Sequence, residues 1–250
     1  MRATANQSWG NQGAPSGDGA STLLATLGGV EVRRDGGLIS YTSGLQIDAD
    51  GSPRAYHPTS SWGRDRLVNA GHPGNWWGIL TDNNQPSGKP LLQGEYDPAP
   101  GFYISTTSLC DSTNHDYRWN DPRRWVNSET IPFIVLPGGQ PQIFNPTGFN
   151  GAARLGDFAV VVNLANGRKA AALVADVGPP DHIGEGSIAL AAALGVNPDA
   201  RTGGASGGIL TIVFAGSRLT PAWPHPVAAI NARVLTLVSA HHLNLPNLPA

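Results

Sequence analysis

The chain has 250 residues, a length that fits one large β-rich domain with embellishments. Its 32 glycines and 21 prolines mark it as loop-rich, while a 40% hydrophobic content still supplies a core. A net charge of −2 with no basic run excludes a nucleic-acid footprint, no apolar stretch reaches the length of a membrane span, and the single Cys110 excludes an intrachain disulfide.

Residues 1 to 28 are Gly, Ser, Ala, Asn and Thr with scattered Trp, the composition of a flexible N-terminal segment; residues 29 to 250 read as one domain. Leu23-Leu24-Ala25-Thr26-Leu27 is too short for the apolar part of a secretory leader. Residues 38 to 43 open the ordered part as a strand. Residues 52 to 98 hold few periodic apolar positions, with Trp62, Trp76 and Trp77 among Gly, Pro and Asn, so long loops are expected. Residues 102 to 109 alternate as a strand does, and residues 131 to 136 read as a central strand entered through Pro132. Two apolar runs, 158 to 164 and 170 to 175, flank Asn166-Gly167, the dipeptide of a tight hairpin turn. Val177-Gly178-Pro179-Pro180 then forbids regular structure, and residues 188 to 194 form a short helix closed by Gly195. Residues 203 to 208 are a loop before a buried strand at 209 to 214. Val227, Ile230, Val234, Leu237 and His241 recur at helical spacing after Pro226, predicting a C-terminal helix over 226–242 packed on the rest.

Asp176 ends the second hairpin run, and Glu185 follows nine positions on, across the Gly/Pro loop. Nine residues span at most roughly 30 Å, so a bent loop brings the two carboxyls together as a general acid and base. The competing readings are that Asp176 satisfies loop amides and Glu185 caps the helix that follows. Tyr41, Thr107, Trp77 and His182 are candidates for substrate contact. Each also has an ordinary role, as strand, core or solvated loop residue. The seven histidines show no metal spacing, Asp48-Ala49-Asp50-Gly51 lacks the remaining ligands of a calcium loop, and no phosphate-binding glycine loop is present. Neither metal nor cofactor is expected.

Asp176-Val177-Gly178-Pro179, with Ile183-Gly184-Glu185-Gly186-Ser187-Ile188-Ala189-Leu190-Ala191 after it, resembles the catalytic region of the fungal-type chitosanases, glycoside hydrolase family 75. In that family an Asp at a strand end and the Glu of a G-E-x-S motif are the essential pair, which implies Asp176 and Glu185 here. Gly44-Leu45-Gln46-Ile47-Asp48-Ala49-Asp50-Gly51 is similar to the family's I-D-C-D-G segment, with Ala49 in place of its Cys. That adds Asp48 as a third catalytic candidate and Asp50 as a substrate-binding one. The likeness covers islands between about residues 38 and 216. Residues 162 to 168, 176 to 179 and 189 to 195 also resemble the double-psi β-barrel of rare lipoprotein A, expansins and family 45 endoglucanases. Together these imply a mainly β, minor α protein: a single double-psi-like β-barrel with long loops and a C-terminal helix.

The implied activity is endo-cleavage of a β-1,4-linked aminosugar polysaccharide, chitosan by resemblance, with inversion. By analogy with the barrel enzymes Glu185 is the acid, and Asp176 or Asp48 the base or electrostatic partner. A helix N-terminus lowers a carboxyl pKa and suits a base better, so roles within the pair stay open. The alternatives are a peptidoglycan-cleaving muramidase or lytic transglycosylase, and a non-catalytic expansin-like binding module. The polysaccharide is the expected partner, and the protein is expected to be secreted or exported to the cell envelope without a visible signal peptide.

Overall fold

The computed structural model describes residues 21–245. In chain order its elements are β1 (Thr22–Leu27), β2 (Val30–Asp35), β3 (Leu38–Asp48), the two-residue strands β4 (Gly71–His72) and β5 (Asn75–Trp76), β6 (Phe133–Pro137), β7 (Phe158–Asn163), β8 (Lys169–Gly178), β9 (Glu185–Ser187), α1 (Ile188–Ala193), β10 (Ala205–Phe214) and α2 (Val227–Ala240). Strands β3, β10, β7, β8, β6 and β9 pair in that order, and β9 pairs back onto β3, closing a six-stranded barrel. The β3–β9 and β6–β8 pairs are parallel, and the β1–β2 hairpin extends the sheet beyond β3.

Successive strand residues face opposite sides, and here the two sides sort into two apolar clusters. Ile39, Tyr41, Ile47, Ile134, Val161 and Val174 fill the barrel, joined by Leu190 and Leu194 at α1. Phe133, Val160, Leu173 and Phe214 face outward, where Ile230, Val234, Leu237 and Val238 of α2 cover them. Burying each such side chain contributes roughly 1.5–3 kcal/mol, so α2 docks by that stripe rather than by capping. Residues 49 to 131 form a layer of loops with small cores of their own, one around Tyr56, Trp76 and Ile79 and one around Leu80, Ile104 and Trp125.

The barrel, the long loops and the C-terminal helix agree with the expectation from sequence, but β8 runs on through Val177-Gly178, β10 begins at Ala205 inside the expected 203–208 loop, and four further details differ. Residues 22–27, expected within a flexible segment, form β1 against β2; residues 1–20 of that segment lie outside the described residues. Residues 102 to 109 form no strand, joining neighbours only through single bridges such as Leu92–Tyr103 and Ile79–Ser105. Their alternation reflects burial inside the loop layer, with amides spent one at a time on Tyr56, Leu91 and Gly78 carbonyls. The β7–β8 turn is a four-residue loop closed by Asn163 and Arg168, with Gly167 alone at positive φ (74°). Glu185 does not precede α1 as a loop residue but starts β9; Ser187 caps α1, accepting from the Leu190 amide.

Candidate active site

Three strands place the two predicted acids. In the β6–β8 pairing Ile134 faces Val174, but the next partners are Val135 and Asp176, so Ala175 is an extra residue. This β-bulge carries Asp176 onto the outer face with Val135, instead of the barrel interior that Ala172 and Val174 occupy. The Leu109 amide donates to the carbonyl of Ala175 (2.9 Å), fixing the bulge to the loop layer. From the other side of β6, Glu185 of β9 also pairs with Val135. Asp176, Val135 and Glu185 thus form one row across three strands, with the two acids about 10 Å apart at Cα, twice the strand spacing.

The row continues to Gln46, paired with Glu185 on β3, and Asp48 lies two residues further along the same face. Short β9 tolerates little else beside Glu185. A Cβ on Gly186 would stand 2.7 Å from Leu190 Cδ2, and one on Gly184 (φ 101°) 2.6 Å from Ser43 Oγ. Ser187, fully buried, ties the strand down: its hydroxyl donates to the Ile131 carbonyl (2.9 Å) and accepts from the Phe133 amide (3.0 Å) as well as capping α1.

Asp48, Asp50, Asp65, Asp176 and Glu185 line one cleft of about 720 Å³ between barrel and loop layer. Asp176 Oδ1 accepts from the Ser108 amide (3.0 Å), the Ser108 hydroxyl (2.5 Å) and the Val177 amide (2.7 Å). Burial pushes Asp176 up to about 6, with those bonds opposing the rise. Glu185 accepts no hydrogen bond from the described residues. Burial, then the charges of Asp176 and Asp65, push it up to about 7. Asp48 accepts from the Asp50 amide (2.6 Å) and is pushed well up by burial and by the Asp50, Glu185 and Asp176 carboxylates. Asp50 takes the Tyr56 hydroxyl (2.6 Å) and the Ser105 hydroxyl (3.3 Å) and is raised too, by burial above all.

The Asp48–Gly51 segment is therefore a turn knitted into the loop layer. Among the described residues no three His, Cys, Asp or Glu side chains are disposed to hold a metal ion. Trp77, 58% exposed, lines the cleft with its ring orientation fixed by donation from Nε1 to the Asn69 carbonyl (2.8 Å). His182 lines the cleft as well.

Two expected substrate contacts fall elsewhere. Tyr41 points into the barrel core, 3% exposed, because odd-numbered β3 residues face inward. Thr107 is buried, its hydroxyl donating to the Leu109 carbonyl (2.7 Å) and accepting from the Val126 amide (3.1 Å), which staples the loops. Its neighbour Ser108 makes the contact with the site instead. Sequence reasoning also missed Asp65, whose carboxylate is held by Asn69 Nδ2 (2.8 and 3.0 Å) and the Arg66 amide (2.6 Å). Flanked by Arg64 and Arg66, it carried the signature of a solvated charge run.

A buried carboxyl pair at the rim of a small β-barrel, facing an acidic cleft, is the equipment of a glycoside hydrolase. The family model described as fungal chitosanase of glycosyl hydrolase group 75 matches residues 103–240, more than half of the chain. The chain belongs to that family and is a chitosanase-like glycoside hydrolase. No curated protein matches it. Among the described residues no helix is long and apolar enough to cross a membrane.

Proposed function

We propose that the protein is an endo-acting, inverting hydrolase of the β-1,4 linkages of chitosan, with Glu185 as general acid and Asp176 as general base. The carrying observation is the shared register of Asp176 and Glu185 with Val135, which holds the two acids two strands apart in one cleft. Inversion needs carboxyls roughly 6.5–9.5 Å apart, leaving room for sugar and water between them, and a two-strand offset accords with that range. Glu185, titrating near 7 with a carboxyl that accepts no hydrogen bond from the described residues, is the group that keeps its proton. Asp176, whose ionised form three donors favour, is the group that loses it first.

Glu185 protonates the leaving O4 while Asp176 takes a proton from water attacking C1 on the opposite face. Asp48, whose burial beside these carboxyls favours its neutral form, orders the Asp50 turn by accepting its amide, and Asp50 and Trp77 bind the chain, the indole face stacking on a pyranose. A lining that reaches from Trp77 and Asp65 to His182 and Gln46 supports occupation on both sides of the cut, hence endo action. A cleft lined by acidic side chains, with Asp176 ionised among them, suits a polycation and disfavours the acidic side groups of peptidoglycan. A polymer of this size is met outside the cell, which supports a secreted or exported enzyme.

Proton NMR of a chitosan-oligomer digest, recorded before mutarotation equilibrates, tests the reading. The first product signal is expected from the α-anomer, and a β-anomer first would refute inversion.

A further inference from the structure

A second cavity, of about 320 Å³, opens beside the acidic cleft, and Gln46 and His182 line both. Its chemistry is different. It contains neither carboxylate nor Lys or Arg, and its wall includes Leu27 and Val30, paired across the tip of the β1–β2 hairpin, together with Leu45 and Ser206. At the junction of the two cavities His182 Nε2 is buried without a hydrogen-bond partner among the described residues. The Gln46 side chain, exposed beside Glu185, has no partner there either. Buried polar groups are rarely left unpaired, and one at a cavity junction is placed for a ligand. The hairpin that builds this wall lies outside the residues matched to the family.

We propose that this second cavity is a glycan subsite selecting an N-acetylated sugar unit next to the cleft in which the cationic chain is cut. A volume near 300 Å³ is at the lower end for ligand pockets and fits a single sugar unit. The acetamide methyl packs on Leu27 and Val30, and its carbonyl accepts from the Gln46 amide or from His182 Nε2–H. An ammonium group in the same place would lose its hydration with no carboxylate to replace it. The substrate class is then partially acetylated chitosan, and the inference rests on the reading of the protein as a chitosan hydrolase.

Two measurements separate the subsite from that reading. In the first, a fully N-acetylated trimer is titrated into the wild type, Ser206→Trp and Val30→Asp by calorimetry, with a thermal melt of each. Ser206 is exposed, so Trp fills the cavity without entering the core, and Val30→Asp puts a carboxylate into the apolar wall. Binding to the wild type, weakened about tenfold in both variants while Ser206→Trp keeps its melt, supports the subsite. No binding to the wild type, or equal binding to the wild type and Ser206→Trp, overturns it. In the second, products of partially acetylated chitosan are sequenced by mass spectrometry. N-acetyl units enriched at one fixed offset from the cut, with the bias reduced in Ser206→Trp, support the proposal. Cleavage with no such bias overturns it and leaves the hydrolase intact. Variant-sensitive trimer binding without any chitosan cleavage supports the subsite and defeats the hydrolase reading alone.

Discussion

Asp176 and Glu185 differ in what surrounds their oxygens, and the proposed division of work between them rests on that difference. Three donors converge on one Asp176 oxygen, while burial and neighbouring charge act on Glu185 with no donor to oppose them. On the proposed roles the working form has Asp176 ionised and Glu185 protonated, so kcat/KM is expected to be bell-shaped, with limbs near pH 6 and pH 7. Ser108→Ala removes the hydroxyl donor, and Asp176 then holds its proton to higher pH. The acid limb should move up by about one to two units, since a hydrogen bond to a charged group is worth roughly 1.5–3 kcal/mol, while the alkaline limb stays. An acid limb that stays put would remove Asp176 from the base role. The acid pair was legible in the sequence because a Gly/Pro loop sets it off. Alternation put Tyr41 and Thr107 on a face without saying which face meets solvent. In a barrel clad on both sides, that distinction comes only from packing.

Elements rather than motifs explain the G-E-x-S stretch. β9 is three residues long, held between β3 and β6, and Ser187 joins it to the 131–133 segment and to α1 with three hydrogen bonds. These bonds give the serine a structural role, holding the strand of Glu185 in place. Ser187→Ala leaves the Phe133 amide and the Ile131 carbonyl buried without that partner, a cost of about 2–3 kcal/mol. The melting temperature should fall by roughly 4–12 °C, read by calorimetry; an unchanged melt would contradict this account. Other element-level features left no trace in the sequence. The bulge at Ala175 sits in an unbroken apolar run, and β9 is too short to show a period. Both exist because β6 offers partners on each side, a relation between segments about forty and fifty residues apart.

On the scale of the molecule, the barrel supplies the acid row and the loop layer supplies its desolvation. The stretch matched to the family carries Asp176 and Glu185, while Asp48, Asp50 and Asp65 come from the chain before it. Gathering these carboxyls has a cost that depends on pH. Asp176 and Glu185 titrate near 6 and 7 when folded, against roughly 4 when unfolded. The folded state therefore keeps protons that the unfolded chain gives up, and stability falls as pH rises from about 4 to about 7. Glu185→Gln removes one of these charges without changing the shape of the side chain. Its melt should lie above that of the wild type at pH 8 and coincide with it at pH 4. Turnover of this variant on chitosan, measured by reducing ends beside the wild type, tests the central claim most directly. The account predicts a loss of 10²–10⁴-fold or more with the fold intact; near-normal turnover would reduce Glu185 to a bystander at the start of β9 and contradict it.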